Sequence, residues 1–116
     1  MPPPRLGRTA FHSQQCAEKY LKALVQQSGA EPPRTHHLPT LLDMLTGVHA
    51  DLEDLRLPCE SLAPYAVHFR YPGEEASEGD AVAALGHAEV IRSAIRQALG
   101  LPSEPSEDAD ATTAPP

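Results

Sequence analysis

Arg70 and Tyr71 are the residues whose types and placement suit a phosphate ligand best. Arginine can hold a phosphate through two hydrogen bonds, and an adjacent aromatic ring can stack on a base. Lys19 and Lys22 can add charge, His36 a hydrogen bond, and Gln15 a further polar contact. The same residues also have a purely structural reading. Arg70 would then pair with an acid such as Glu18, Tyr71 would pack on the body, and His36 would make a local bond at a helix start. Interior ion pairs use these residue types without any ligand, so the structural reading is preferred.

Other chemistries find little support. The chain has six histidines and two cysteines, but no HxxxH, HExxH or paired-cysteine spacing. His36 and His37 are adjacent and would point to different sides of a helix, so no metal site is expected. Cys16 and Ser13 are near His12 in sequence only, with no orienting acid, so nucleophilic catalysis is not expected. Glycine patterns for a phosphate loop or a dinucleotide are absent, and no cofactor is expected. Cys16 and Cys59 read as two reduced thiols in a cytoplasmic protein. No run is long enough to span a bilayer, and no secretory signal is visible.

These residues need helices to position them. Phe11, Ala17, Tyr20, Leu21, Leu24 and Val25 recur at helical spacing with Cys16 alongside, and Gln15, Glu18, Lys19, Lys22 and Gln26 fall opposite. Glu18 precedes Lys22 by four, the favourable order for a helical ion pair. This first helix is expected from about Thr9 to Gln27, with Gly29 as its stop. Glu31-Pro32-Pro33 imposes an extended connection. Thr35 is the expected cap of a second helix, with Pro39 in its first turn and a stripe of Leu38, Leu41, Leu42, Leu45 and Val48. Asp51 to Leu57 reads as short helical turns ended by Pro58. Glu60 to Phe69 reads as a third helix with Pro64 in its first turn, and Tyr71-Pro72-Gly73 as a break. A long helix from about Ser77 to Leu99 presents Ala81, Leu85, Ala88, Ile91, Ile95 and Leu99 inward. Gly100 and Pro102 stop it.

No segment alternates with period two, so the chain reads as all-α, an antiparallel up-and-down helical bundle. The 116 residues make one small domain, expected over 9–100. Seven of the 13 prolines lie in the flanks, so 1–8 and 101–116 are expected to be disordered. The segment 101–116 carries four acids and no base, which leaves −3 of the net charge of −7 for the rest. A broad, non-specific grip on nucleic acid is therefore disfavoured, although a small basic patch remains open.

Three stretches together resemble a known family. FHSQQCAEKYLKAL at Phe11 to Leu24 is similar to the signature helix of the HEPN domains (higher eukaryote and prokaryote nucleotide-binding). THHLPTLL at Thr35 to Leu42 and YAVHFRYPG at Tyr65 to Gly73 resemble the family's second and third landmarks, in the family's order. The resemblance covers roughly Ala10 to Leu99. It implies a helical bundle, nucleotide or RNA binding, and often a nucleotidyltransferase-like partner in a toxin–antitoxin type pair.

RNA-cleaving members carry arginine, four to six residues, then histidine, late in the domain. The late arginines here are Arg70, Arg92 and Arg96, and the only later histidine, His87, has sixteen residues between it and Arg70. Arg5 and His12 have six residues between them but lie at the chain start. The expectation is a non-catalytic binding module. The alternatives are a metal-independent endoribonuclease using Arg70 with a histidine brought near by folding (His36, His68 or His12), or a structural scaffold. HEPN domains usually have a further helix before this signature helix, for which Met1 to Arg8 is too short. The Phe11, Ala17, Leu21 and Leu24 stripe would then lie uncovered, which predicts a homodimer.

Overall fold

The computed structural model describes residues 5–66 and 78–102, and the side chains of 5–8 are left aside. Every described element is helical. α1 runs Arg5–Gln27, α2 Leu38–Thr46, α3 Arg56–Leu62 and α4 Glu78–Leu99. Two 3₁₀ turns, Ala50–Leu55 and Ala63–Ala66, flank α3. The all-α helical bundle expected from the sequence is therefore present, without a strand among the described residues.

α1 and α4 are the long members and pack along most of their length. Both present alanines to the core, Ala10 and Ala17 on α1 and Ala81, Ala84 and Ala88 on α4. Small side chains let the two backbones approach, and Leu21, Leu24, Ile91 and Ile95 then fill the wider part of the core. The register is fixed by Tyr20 against Arg96 at 3.3 Å and by Gln27 Nε2 donating to the Leu99 carbonyl at 3.4 Å. His12 and Leu85 lie together near the other end. The two long helices thus run in the same direction, which corrects the antiparallel up-and-down arrangement expected from the sequence for this pair. The connection 28–37 makes this possible, because it returns along α1 as far as Gln14, whose side chain meets the His36 carbonyl.

Both long helices end on the glycines that the sequence marks. Gly29 has φ 98° and Gly100 φ 81°. Ala30 N–H reaches Val25 O at 3.2 Å and Leu101 N–H reaches Arg96 O at 2.9 Å, so the last carbonyls are satisfied by a left-handed cap.

Several expectations are corrected. α1 begins at Arg5, four residues before Thr9, so Thr9 lies inside the helix and 5–8 are helical. The rest of the flanks, 1–4 and 103–116, lies outside the described residues. α2 is capped at His37; Thr35 instead accepts the His37 N–H through Oγ1 at 3.1 Å. Pro39 is in the first turn as expected. Pro58 is the third residue of α3 and does not end a helix; an N–H there has no intrahelical partner to lose. Pro64 has no N–H for the Glu60 carbonyl, and the chain tightens into the 3₁₀ turn Ala63–Ala66. The expected continuation of that helix to Phe69 lies outside the described residues.

Two apolar residues expected to face inward are exposed. Val48 is 72% exposed because α2 has already stopped at Thr46. On α4 the buried stripe is Ala81, Ala84, Ala88, Ile91 and Ile95, while Leu85 is 54% exposed. The stripe steps three, four, three, four, and Leu85 falls about 100° away from Ala84. Ala17, Leu21 and Leu24 are fully buried inside this one chain, and Phe11 is half-buried. The stripe expected to lie open is therefore closed by α2 and α4.

Candidate functional site: a buried carboxylate and an open groove

α1 brings two polar side chains into the core, Gln14 with no exposure and Glu18 with 6%. Positions 10, 14, 17 and 21 share one helical face, so Gln14 occupies a core position between alanines and leucine. Glu18, expected on the wet face, is instead the centre of a cluster. Lys22 Nζ lies 2.9 Å from its Oε2. His36 Nδ1 lies 3.0 Å from both carboxylate oxygens. Because a carboxylate only accepts, Nδ1 carries the hydrogen. Gln15 Nε2 donates to Oε1 at 3.3 Å and to Gln14 Oε1 at 2.8 Å. Gln14 Nε2 donates to the His36 carbonyl at 2.8 Å.

The electrostatics follow from these contacts. Burial pushes the Glu18 carboxyl up, but hydrogen bonds and charge from Lys22 and His36 outweigh it and hold the group below its ordinary value. No buried side-chain polar atom of the cluster lacks a partner, so the arrangement fastens the α1–α2 connection to the middle of α1. Of the residues expected to bind a ligand, Lys22, His36 and Gln15 converge here on Glu18. Lys19 is exposed and apart from them. Arg70 and Tyr71 lie outside the described residues. Gln14 and Glu18 are the members that sequence reasoning missed. The spacing of Gln14 with Ala10, Ala17 and Leu21 was the signal.

A second clamp holds α2 to the turn before α3. Arg56 lies 2.7 Å from Asp43 and 2.8 Å from Glu53, and Nη1 reaches the Pro39 carbonyl at 3.4 Å. Hydrogen bonds donated to Glu53 and Asp43 raise the guanidinium above its ordinary value. Cys59 is buried, and burial pushes its thiol up to about 12. That thiol stays protonated and unreactive. Cys16 is also free, so neither cysteine is in a disulfide. No group of three potential metal ligands occurs among the described residues.

The open surface is elsewhere. A groove of about 430 Å³ runs between α1 and α4, lined by His12, Ser13, Cys16, Leu85, Ala88 and Arg92, among others. Ser13 is 5% exposed, and its Oγ has no hydrogen-bond partner among the described residues. His12 packs against Phe11 with ring centroids 5.6 Å apart. Arg92 is held by Glu89 at 2.5 Å and by the Tyr20 hydroxyl. The groove therefore combines an apolar wall, a buried unsatisfied hydroxyl and charges of both signs.

The all-helical bundle with this polar clamp on its central helix defines a class of small helical domains. The HEPN domain family model matches residues 5–98, and the chain belongs to that family. No curated protein and no solved structure matches it. No helix among the described residues is long and apolar enough to cross a membrane.

Proposed function

We propose that this HEPN domain is a non-catalytic binding module that works by protein–protein association. It closes as a homodimer over the α1–α4 groove and engages a nucleotidyltransferase-like partner in a toxin–antitoxin type pair. The observation that carries the reading is Leu85, 54% exposed on the edge of a groove that also holds the orphan Ser13 hydroxyl. An exposed large aliphatic beside an unsatisfied buried donor marks a face that gains from being covered. The partner class rests on family resemblance alone. A nucleotide or RNA phosphate receives less support, because Lys22, His36 and Gln15 are engaged with Glu18. Lys19, Arg70 and Tyr71 remain as its candidates.

The experiment is light scattering on the full chain over a range of concentration, with the wild type and Leu85→Arg. A dimer that becomes a monomer in the variant supports the reading. A wild-type monomer at every concentration overturns it. One arrangement favours the ribonuclease alternative: His12 and Arg92, from opposite ends of the sequence, line the same groove. Incubation with total RNA decides it. The binding reading expects intact RNA; cleavage that His12→Ala abolishes replaces it with the enzymatic one.

A further inference from the structure

The opposite flank of α4 carries a second groove, independent of the first. It is about 570 Å³ and lies between the Ala50–Leu55 turn and the C-terminal half of α4. Leu52, Leu55, Ala94 and Ala98 form its floor, and Val90, 52% exposed, its edge. Asp51 and Asp54 form the rim, with half-buried His49 at one end and no lysine or arginine in the lining. Glu18 is matched to Lys22, Asp43 and Glu53 to Arg56, and Glu89 to Arg92, whereas Glu31, Glu60 and Glu78 make no ion pair among the described residues. Asp51 and Asp54 make no ion pair with any described residue. The first turn of a helix favours an acid, which accounts for Asp51 but not for Asp54.

The spacing of the two carboxylates is informative. Residues three apart in a 3₁₀ helix eclipse each other and are separated by about 6 Å along the axis. Bases four apart on an α-helix are also separated by about 6 Å, on one face. From this match we infer that the groove docks an amphipathic α-helix of a partner protein. Lysine or arginine at positions four apart would meet Asp51 and Asp54, and an apolar side chain between them would rest on Val90 and Ala94. Nucleic acid is excluded by the two carboxylates. A second copy of this chain is a poor donor: its own bases four apart, Arg92 and Arg96, already hold Glu89, Tyr20 and the Pro102 carbonyl.

The test uses the full chain and a synthetic helical peptide of leucine, alanine and two lysines four apart, followed by fluorescence anisotropy. The control peptide has the same composition with the lysines two apart. The inference expects the first peptide to bind several-fold more tightly than the second. It expects D51N/D54N to weaken the first by about fivefold, the scale of two exposed ion pairs, and Val90→Ser to weaken it independently. Neutralising Glu104, Glu107, Asp108 and Asp110 should leave binding unchanged. Equal binding of the two peptides overturns the inference. So does wild-type affinity in D51N/D54N, or loss of binding when the four C-terminal acids are neutralised.

Discussion

Two faces of α1 carry polar groups into nearly dry surroundings, with opposite results. Around Glu18 the buried donors and acceptors are matched, by Lys22, His36, Gln14 and Gln15 within 3.4 Å. At Ser13, five residues earlier, the hydroxyl is as buried and has no partner among the described residues. A satisfied buried network fixes a conformation, whereas an unsatisfied group costs free energy until something covers and bonds it. The first region is thus part of how the domain folds, and the second part of how it meets something else. Substitutions in the two should separate cleanly, the first lowering stability and the second changing association.

The largest expected effect on the stability of the single chain is at Gln14. Gln14→Ala removes a fully buried side chain and leaves the His36 carbonyl without its donor. The loss of packing and of a buried hydrogen bond together should cost about 2–3 kcal/mol, read as a lower urea midpoint with unchanged slope. A cost under about 0.5 kcal/mol would mean that the connection 28–37 is not held by this contact.

Next comes Glu18→Gln, which keeps the shape and removes the charge. It should cost about 1–2 kcal/mol at neutral pH, in the range for hydrogen bonds to charged groups. The pH dependence carries the sign. The Glu18 carboxyl is held below its ordinary value, so its contribution is present above the unfolded-state value and is lost as pH falls through the folded one. The wild type should therefore lose part of its stability as the pH drops below about 4.5, and the variant should lose less there. Parallel curves for the two proteins would remove Glu18 from the acid response.

Much of this was legible in the sequence, and what was not has identifiable causes. The helix stops at Gly29 and Gly100, the Pro39 first turn and the Glu18–Lys22 pair follow from local rules that tertiary structure did not override. The inward face of α4 was legible at Ala81, Ala88, Ile91 and Ile95, and one position differs, with Ala84 inward in place of Leu85. Leu85 is more apolar than Ala84, but small side chains were what close contact with α1 required. Glu18 was read as wet because charged residues rarely lie buried unless paired. Its pairing with His36 spans eighteen residues, across a connection whose path no local rule predicts. Arg70 and Tyr71, the residues that best suited a ligand by type, lie outside the described residues. The groove could not be read at all, since it arises from helices at opposite ends of the chain.

Leu85→Ser should change the stability of the isolated chain by no more than about 0.5 kcal/mol, because the side chain is already half in water. Its effect should fall on the dissociation constant of the dimer, where loss of one buried leucine on each side is worth about 3 kcal/mol in all. A large drop in unfolding midpoint without a change in association would place Leu85 in the core of a single chain instead.

The smallest effect is the sharpest test, because it compares the same residue type three positions apart. Lys19 and Lys22 share the polar face of α1, and the sequence already pairs Lys22 alone with Glu18, four residues before it. Only Lys22 stands one turn beyond Glu18 and reaches it, at 2.9 Å. A surface ion pair four apart is worth about 0.3–0.5 kcal/mol, and one whose carboxylate is nearly buried is worth somewhat more. Lys22→Ala should therefore cost about 0.5–1 kcal/mol and Lys19→Ala about zero. Added salt should shrink the difference only slightly, since the carboxylate is shielded from solvent. If the two alanine variants were equally stable, the Glu18 cluster would depend on His36 and the glutamines alone. Lys22 would then be as free as Lys19 to meet a phosphate.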